Sequence, residues 1–306
     1  MEQLLKIPIQ KIELSKLGFA SSVELSILRE DLIHPHISGN KYRKLKYNLL
    51  EAKQQNKCQL LSFGGAFSNH ISAVAYAGKK YNFQTIGCIR GEELASKIDE
   101  NPTLSFAKSC GMEFVFLTRA EYKDKKDKDF LLDLQSKHPN AFIIPEGGTN
   151  AFAIKGCEEI ITPEMSEFDF ICCPVGTGGT ISGLINAKFS HQKILGFPAL
   201  KNADFLHQII QQFTSNNEYE MINTYHFGGY AKITDELINF VNLFNAQYNI
   251  PLDPIYTGKM LFGIIDLIRN NKFKENSKIL AVHTGGLQGI EGINKKLKQQ
   301  QKQPIL

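Results

Sequence analysis

The sequence predicts an α/β fold with mainly parallel sheets, and three observations carry that prediction. Short β-rich runs alternate with helical patterns along most of the chain. The runs are almost continuously apolar, as strands covered on both faces must be. Glycine-rich turns follow several of them, where open α/β sheets place their ligands.

Taken in order, the strands fall at residues 23–28 (VELSIL), 59–63 (QLLSF), 84–89 (QTIGCI), 114–117 (FVFL), 141–144 (AFII), 168–173 (FDFICC), 193–197 (KILGF) and 278–282 (KILAV). Amphipathic helical stretches lie between and after them at 42–54, 71–81, 130–136, 153–161, 181–190, 204–213, 234–246 and 259–269. Residues 119–129 mix both charge signs and read as a solvated loop or helix start. From Lys295 onward the chain is rich in Lys and Gln and reads as a frayed polar tail.

Composition narrows the function class. The chain has 306 residues, 42% hydrophobic and 22% charged, enough for one large or two moderate domains around a sizeable core. A net charge of +4, spread along the sequence, argues against nucleic acid and does not oppose an anionic ligand. No apolar run is long enough for a bilayer, and residues 1–10 lack the layout of a signal peptide. The six cysteines form no C-x-x-C pair and sit mostly in apolar stretches, which suits buried free thiols in a reducing cytoplasm. No His/Cys/Asp group has metal-ligand spacing, so no metal is expected.

Four glycine-rich segments follow strands or open helices. In the first, an apolar strand runs through Val175 into Gly176-Thr177-Gly178-Gly179-Thr180 and then into a helix. Tight glycine turns let several N–H groups converge, the helix start adds positive potential, and Thr177 and Thr180 add hydroxyls, which together make a phosphate cup. Ile181 stands where a dinucleotide fingerprint needs glycine, and Gly179 where a nucleotide P-loop needs lysine. A phosphate is thus supported without either common nucleotide site; a tight turn with no ligand is the alternative. The second segment, residues 38–44, opens a helix with Lys41, Arg43 and Lys44 in or near its first turn. Such cations oppose the helix dipole and ask for an anion nearby, although a capped surface helix explains the segment locally. The third, residues 63–70, ends in Ser68, Asn69 and His70 at a helix entrance. This suits a carboxylate, or simple capping by Ser68, and His70 is either a base or a first-turn side chain. The fourth pairs Tyr256 and Thr257 at a helix start with Thr284 after the last strand.

In series, the stretches SGNKYRKLKYNL, FGGAFSNH, IPEGGTN, VGTGGTISG, GGYAKIT, DPIYTGKM and HTGG resemble the family of 1-aminocyclopropane-1-carboxylate (ACC) deaminase and D-cysteine desulfhydrase. These are tryptophan-synthase-β-like, fold type II enzymes of pyridoxal 5'-phosphate. The resemblance runs from about Ile27 to Gly289. It implies two open, mainly parallel sheets flanked by helices, with the cofactor in the cleft between a larger domain (1–45 plus 152–306) and a smaller one (46–151). It implies Lys41, rather than Lys44, as the Schiff-base lysine, and the phosphate on residues 176–180. It places Asn69 at the cofactor's ring hydroxyl, Ser68, Asn69 and His70 around the substrate carboxylate, and Tyr230 and Tyr256 facing the substrate. Relatives are commonly homodimers. The freed Lys41 amine is a natural base for the Cα proton if its surroundings lower its pKa.

Two positions divide the family. ACC deaminases resemble one another in having Glu after the second tyrosine and Leu before the final Gly-Gly, where this chain has Thr257 and Thr284. A carboxylate keeps a pyridine nitrogen protonated better than a neutral hydroxyl does. Opening a cyclopropane needs the stronger electron sink, and expelling sulfide needs less. The sequence therefore predicts β-elimination from D-cysteine to pyruvate, ammonia and hydrogen sulfide. ACC deamination is the alternative within the class, and a non-catalytic cofactor- or nucleotide-binding protein the alternative outside it. Either threonine is a candidate for the ring nitrogen.

Overall fold

A computed structural model describes residues 6–306. Its strands are β1 (Ile9–Ile12), β2 (Glu24–Leu28), β3 (Gln59–Gly64), β4 (Gln84–Arg90), β5 (Met112–Leu117), β6 (Ala141–Ile144), β7 (Phe170–Val175), β8 (Lys193–Pro198), β9 (Tyr219–Met221) and β10 (Lys278–Val282). Its α-helices are α1 (Asn40–Gln54), α2 (Asn69–Tyr81), α3 (Pro102–Ser109), α4 (Lys128–Lys137), α5 (Ala151–Glu158), α6 (Gly179–Ala187), α7 (Phe205–Gln211), α8 (Asp235–Tyr248), α9 (Thr257–Arg269) and α10 (Ile290–Gln299).

The strands form two sheets, as the resemblance implies. One has the order β1-β2-β10-β7-β8-β9 and is parallel except for the antiparallel edge strand β1. The other, β5-β4-β3-β6, is parallel throughout. Period-two alternation assigns the faces. In β7, Ile171, Cys173 and Val175 pack with Ile181 and Leu184 of α6, while Cys172 packs on the opposite face with Met260 and Ile264 of α9. In β3, Leu60 faces Leu45 and Ile71 on α1 and α2, while Leu61 and Phe63 face Leu134 of α4. Helices thus cover both faces of both sheets, which explains the continuous apolar strands.

Several elements differ from expectation. The tail after Lys295 is not frayed. Residues to Gln299 extend α10, and Ile305 is buried while its N–H and C=O bond Asn294. Asn242 of α8 donates to the Pro304 carbonyl and accepts from Leu306 N–H. Asparagine side chains fasten this tail, and Leu297 and Ile305 join the apolar core. Within 119–129, Tyr122 is buried and donates to Glu146, so that segment is more than a solvated loop. The short edge strands β1 and β9, and helices α3 and α10, have no counterpart among the predicted elements.

The loops after β3, β6, β7 and β10 meet the start of α1. A Cβ on Gly39, at φ 60°, would collide with the Thr284 carbonyl, so this glycine lets α1 begin directly against the end of β10. Gly286, two residues further on, packs against Asn69 at the start of α2. Residues from the two sheets therefore share one cleft.

Candidate active site

Lys41 lies in the first turn of α1, and its Nζ donates to Asn40 Oδ1 at 2.9 Å. Desolvation lowers its pKa from 10.5 to about 7, and the nearby Lys44 cation adds to the shift. Asn40 Nδ2 donates in turn to Thr180 Oγ1 at 2.8 Å, tying the lysine to the glycine loop after β7. Thr180 accepts there, and its hydroxyl also reaches the Cys157 thiol.

That loop has the build of an anion cup. Gly178 has φ +83°, and α6 starts at Gly179 with its first N–H groups free of helical partners. Thr177 Oγ1 lies 2.6 Å from Thr149 Oγ1, in the loop after β6. A Cβ on Gly179 would sit 2.8 Å from Thr149 Oγ1 and 3.1 Å from Lys44 Nζ. Lys44 Nζ donates to the Gly147 carbonyl at 3.0 Å. The cup thus gains a buried ammonium and a third hydroxyl, Lys44 and Thr149. The sequence reading placed neither there, although the basic helix start was the signal for Lys44. Burial lowers the pKa of Lys44, and a bound anion would raise it again.

The remaining predicted residues gather on the other side. Ser68 caps α2, its Oγ accepting from Ile71 N at 3.2 Å. A Cβ on Gly286 would lie 2.9 Å from Asn69 Nδ2 and 3.5 Å from the Asp253 carboxylate. Tyr256 and Tyr230 meet edge to face, ring centroids 6.1 Å apart, and a Cβ on Gly176 would touch Tyr256 at 3.1 Å. Tyr230 is 48% exposed at the mouth, whereas burial first, then Tyr230, drive the Tyr256 pKa well above 10.0. Tyr256 therefore stays a phenol, a donor rather than a base.

The two threonines separate. Thr257 is buried, and its Oγ1 donates to Asp253 Oδ2 at 2.7 Å while accepting from Asp253 N at 3.1 Å. Asp253 spends both carboxylate oxygens here, accepting also from the N–H groups of Ile255, Tyr256 and Thr257. It caps α9. Among the described residues, no hydrogen bond engages the Thr284 hydroxyl at the carboxyl end of β10. His70 is buried and joined to Ser62.

The cup, the lysine of lowered pKa and the glycine close contacts fit pyridoxal phosphate: an anion site for its phosphate and an amine able to attack its aldehyde. Two parallel sheets with this cleft between them define the fold type II class of pyridoxal phosphate enzymes. The family described as Pyridoxal-phosphate dependent enzyme matches residues 4–285, and the chain belongs to it. A Thermotoga maritima protein provisionally named 1-aminocyclopropane-1-carboxylate deaminase is 29% identical, covering 93% of this chain and 95% of its own length. An Arabidopsis thaliana protein is named bifunctional D-cysteine desulfhydrase/1-aminocyclopropane-1-carboxylate deaminase, mitochondrial. It is also 29% identical, over 89% of this chain and 75% of its own. A crystal structure of an ACC deaminase homologue superposes with a TM-score of 0.81 at 26% identity, covering 96% of this chain and 94% of that one. The chain is a pyridoxal phosphate-dependent enzyme. Among the described residues, no helix is long and apolar enough to cross a membrane.

Proposed function

We propose that this enzyme converts D-cysteine and water to pyruvate, ammonia and hydrogen sulfide. The observation that carries the choice over ACC is the state of Asp253. The carboxylate nearest Thr257 is consumed in capping α9, so neutral threonine hydroxyls stand where an activating carboxylate would be needed. The division into a larger domain (1–45 plus 152–306) and a smaller one (46–151) belongs to the same reading, with the cofactor between them.

Pyridoxal phosphate, when bound, supplies an electron-withdrawing ring that takes up the charge developing at Cα. Lys41 would hold it, the cup of Gly176, Thr177, Gly178, Gly179 and Thr180 with Lys44 and Thr149 its phosphate, and Asn69 its ring hydroxyl. Thr284, with its hydroxyl uncommitted, is the residue for the ring nitrogen. Ser68 and the free N–H groups at the start of α2 take the substrate carboxylate. Lys41, its pKa lowered to about 7, removes the Cα proton in its amine form. The Cα–H electrons form the Cα–Cβ double bond as the Cβ–S bond breaks with its electrons on sulfur, and water then releases pyruvate and ammonia. Tyr256, held as a phenol, donates a hydrogen bond to the departing sulfur, and Tyr230 closes the mouth above it.

Incubation of the holoenzyme with D-cysteine and, separately, with ACC tests the assignment. Sulfide and pyruvate in equal amounts from D-cysteine are expected. Formation of 2-oxobutyrate from ACC, at a rate matching or exceeding turnover of D-cysteine, would replace this reading with the deaminase. Lys41→Ala should abolish both the visible absorbance of lysine-bound cofactor and turnover.

A further inference from the structure

Among the described residues, His70 carries a buried nitrogen that no hydrogen bond satisfies. Its Nε2 lies 2.7 Å from Ser62 Oγ, and Ser62 Oγ donates to the Ile144 carbonyl at 2.8 Å. A hydroxyl has one proton to give. Since Ile144 takes it, Ser62 accepts from His70, and Nε2 carries the imidazole proton. Nδ1 is then a bare lone pair, buried and without a partner. The ring also resists charging: burial, then Lys41, then Lys44 hold its pKa well below 6.5. The Ile144–Ser62–His70 relay therefore presents a neutral acceptor of fixed tautomer beside Gly148. At φ +72° that glycine lacks the Cβ that would lie 3.4 Å from Nδ1.

A buried acceptor left unsatisfied is destabilising, which points to a state of the enzyme in which a donor arrives. The donor must bring an N–H or O–H. A substrate carboxylate and a phosphate dianion bring only acceptors. Lys41 is the foremost cation acting on this ring, and its amine bonds only Asn40 Oδ1 among the described residues. It has protons to spare as amine or ammonium.

We propose that His70 Nδ1 is the acceptor that steadies the Lys41 amine once that amine is released from the cofactor, and that His70 does not hold the substrate carboxylate. This rests on Lys41 being the cofactor lysine. His70 is then a positioning residue. Bonded through an N–H to Nδ1, the amine keeps its lone pair directed at the Cα proton, and after proton transfer the ammonium donates to both His70 and Asn40. The other groups acting on Lys41 are Lys44, Cys157, Asp253 and Cys173, which frame any change in its titration.

Nitrogen NMR of histidine-labelled holoenzyme tests this without turnover. The His70 signals, identified by their loss in His70→Phe, should show protonated Nε2 and bare Nδ1. Hydroxylamine, which displaces lysine from pyridoxal phosphate whatever the natural substrate, should move Nδ1 to a hydrogen-bonded position. A protonated Nδ1, or a signal unmoved when the cofactor's visible band shifts, overturns the proposal. In kinetics with D-cysteine, His70→Phe should lower kcat about tenfold, one net hydrogen bond, with KM within roughly twofold. The acid limb should move to lower pH because the ammonium loses an acceptor. A raised KM with kcat intact makes His70 a carboxylate ligand and overturns the proposal. Ser62→Ala keeps the ring but frees the tautomer, so it should show the NMR change to Nδ1–H and the same kcat loss even if His70→Phe fails to fold. A holoenzyme inert to D-cysteine but with the expected NMR response loses only its substrate assignment. A chain that binds no cofactor through Lys41 loses both.

Discussion

At the residue scale, Thr257 and Thr284 look alike in sequence and differ in the fold because their partners come from elsewhere. Asp253 claims Thr257, while the loop after β10 leaves Thr284 its proton. Thr257→Ala should therefore appear as lost stability, about 1.5–3 kcal/mol for a hydrogen bond to a charged group. Thr284→Ala should change the absorbance of the bound cofactor with little change in melting. The reverse pattern would assign the ring nitrogen to Thr257. Lys41 makes a prediction of its own. With a pKa near 7, against 10.5 unperturbed, its reactive amine form grows as pH rises through 7. Cofactor uptake by the stripped protein, followed by absorbance, should quicken across that range. The sign for stability follows from the same shift. Between about 7 and 10.5 the unfolded chain binds more protons at this site than the folded one, so the cofactor-free fold gains stability from Lys41 as pH rises over that window. Uptake should then level off above about pH 8, and a rate still rising about tenfold per pH unit there would refute the lowered pKa. None of these distinctions was legible in the chain, because each depends on a contact with a residue from another segment or on burial.

At the element scale, the predicted strands and helices stand where apolar periodicity is strong, and the misses are physical. Strands β1 and β9 are edge strands of four and three residues, too short for a pattern. Helix α3 begins Asn101-Pro102, which reads as a turn; here Asn101 caps with its side chain and Pro102 occupies the first helical turn, where its missing N–H costs nothing. The site motifs were legible because each is a local loop at a strand or helix end. What joins them was not. Lys259 is the clearest case. It is 2% exposed on α9, and its Nζ donates to the carbonyls of His226 at 2.9 Å and Gly229 at 2.8 Å. These carbonyls belong to the loop that presents Tyr230, where Phe227, Gly228, Gly229 and Ala231 all have positive φ. Non-glycine residues in that region carry a strain of about 1–3 kcal/mol each, so the loop needs a fastening. One buried ammonium thus ties the Tyr230 loop to the helix that starts at Tyr256. Lys259→Met should release it, with faster proteolysis of residues 226–232 and a KM raised more than kcat is lowered. Proteolysis and KM equal to those of the parent enzyme would show that the loop holds itself.

At the scale of the whole molecule, each sheet has its own pair of apolar layers, and the cleft between them is polar and built from loops of both. Contacts across it include Thr149 to Thr177, Lys44 to Gly147, and Asn69 against Gly286. Several are strained by burial of cations, with Lys41 and Lys44 both held below their ordinary pKa. An anionic cofactor bound as proposed would relieve that burial at Lys44 and engage loops from both sheets at once. Its binding should therefore be coupled to the stability of the fold. A ligand at a hundred times its dissociation constant contributes about 2.7 kcal/mol, and at about 2.1 cal/mol/K per residue a chain of 306 residues gains roughly 1.6 °C per kcal/mol, so removing pyridoxal phosphate should lower Tm by roughly 4 °C. Inorganic phosphate, which fills the cup but cannot bond Lys41, should restore only part of the loss. Lys41→Ala with pyridoxal phosphate should behave like phosphate alone. Full recovery with phosphate would mean that the cup by itself fastens the cleft, and that Lys41 contributes chemistry but no stability.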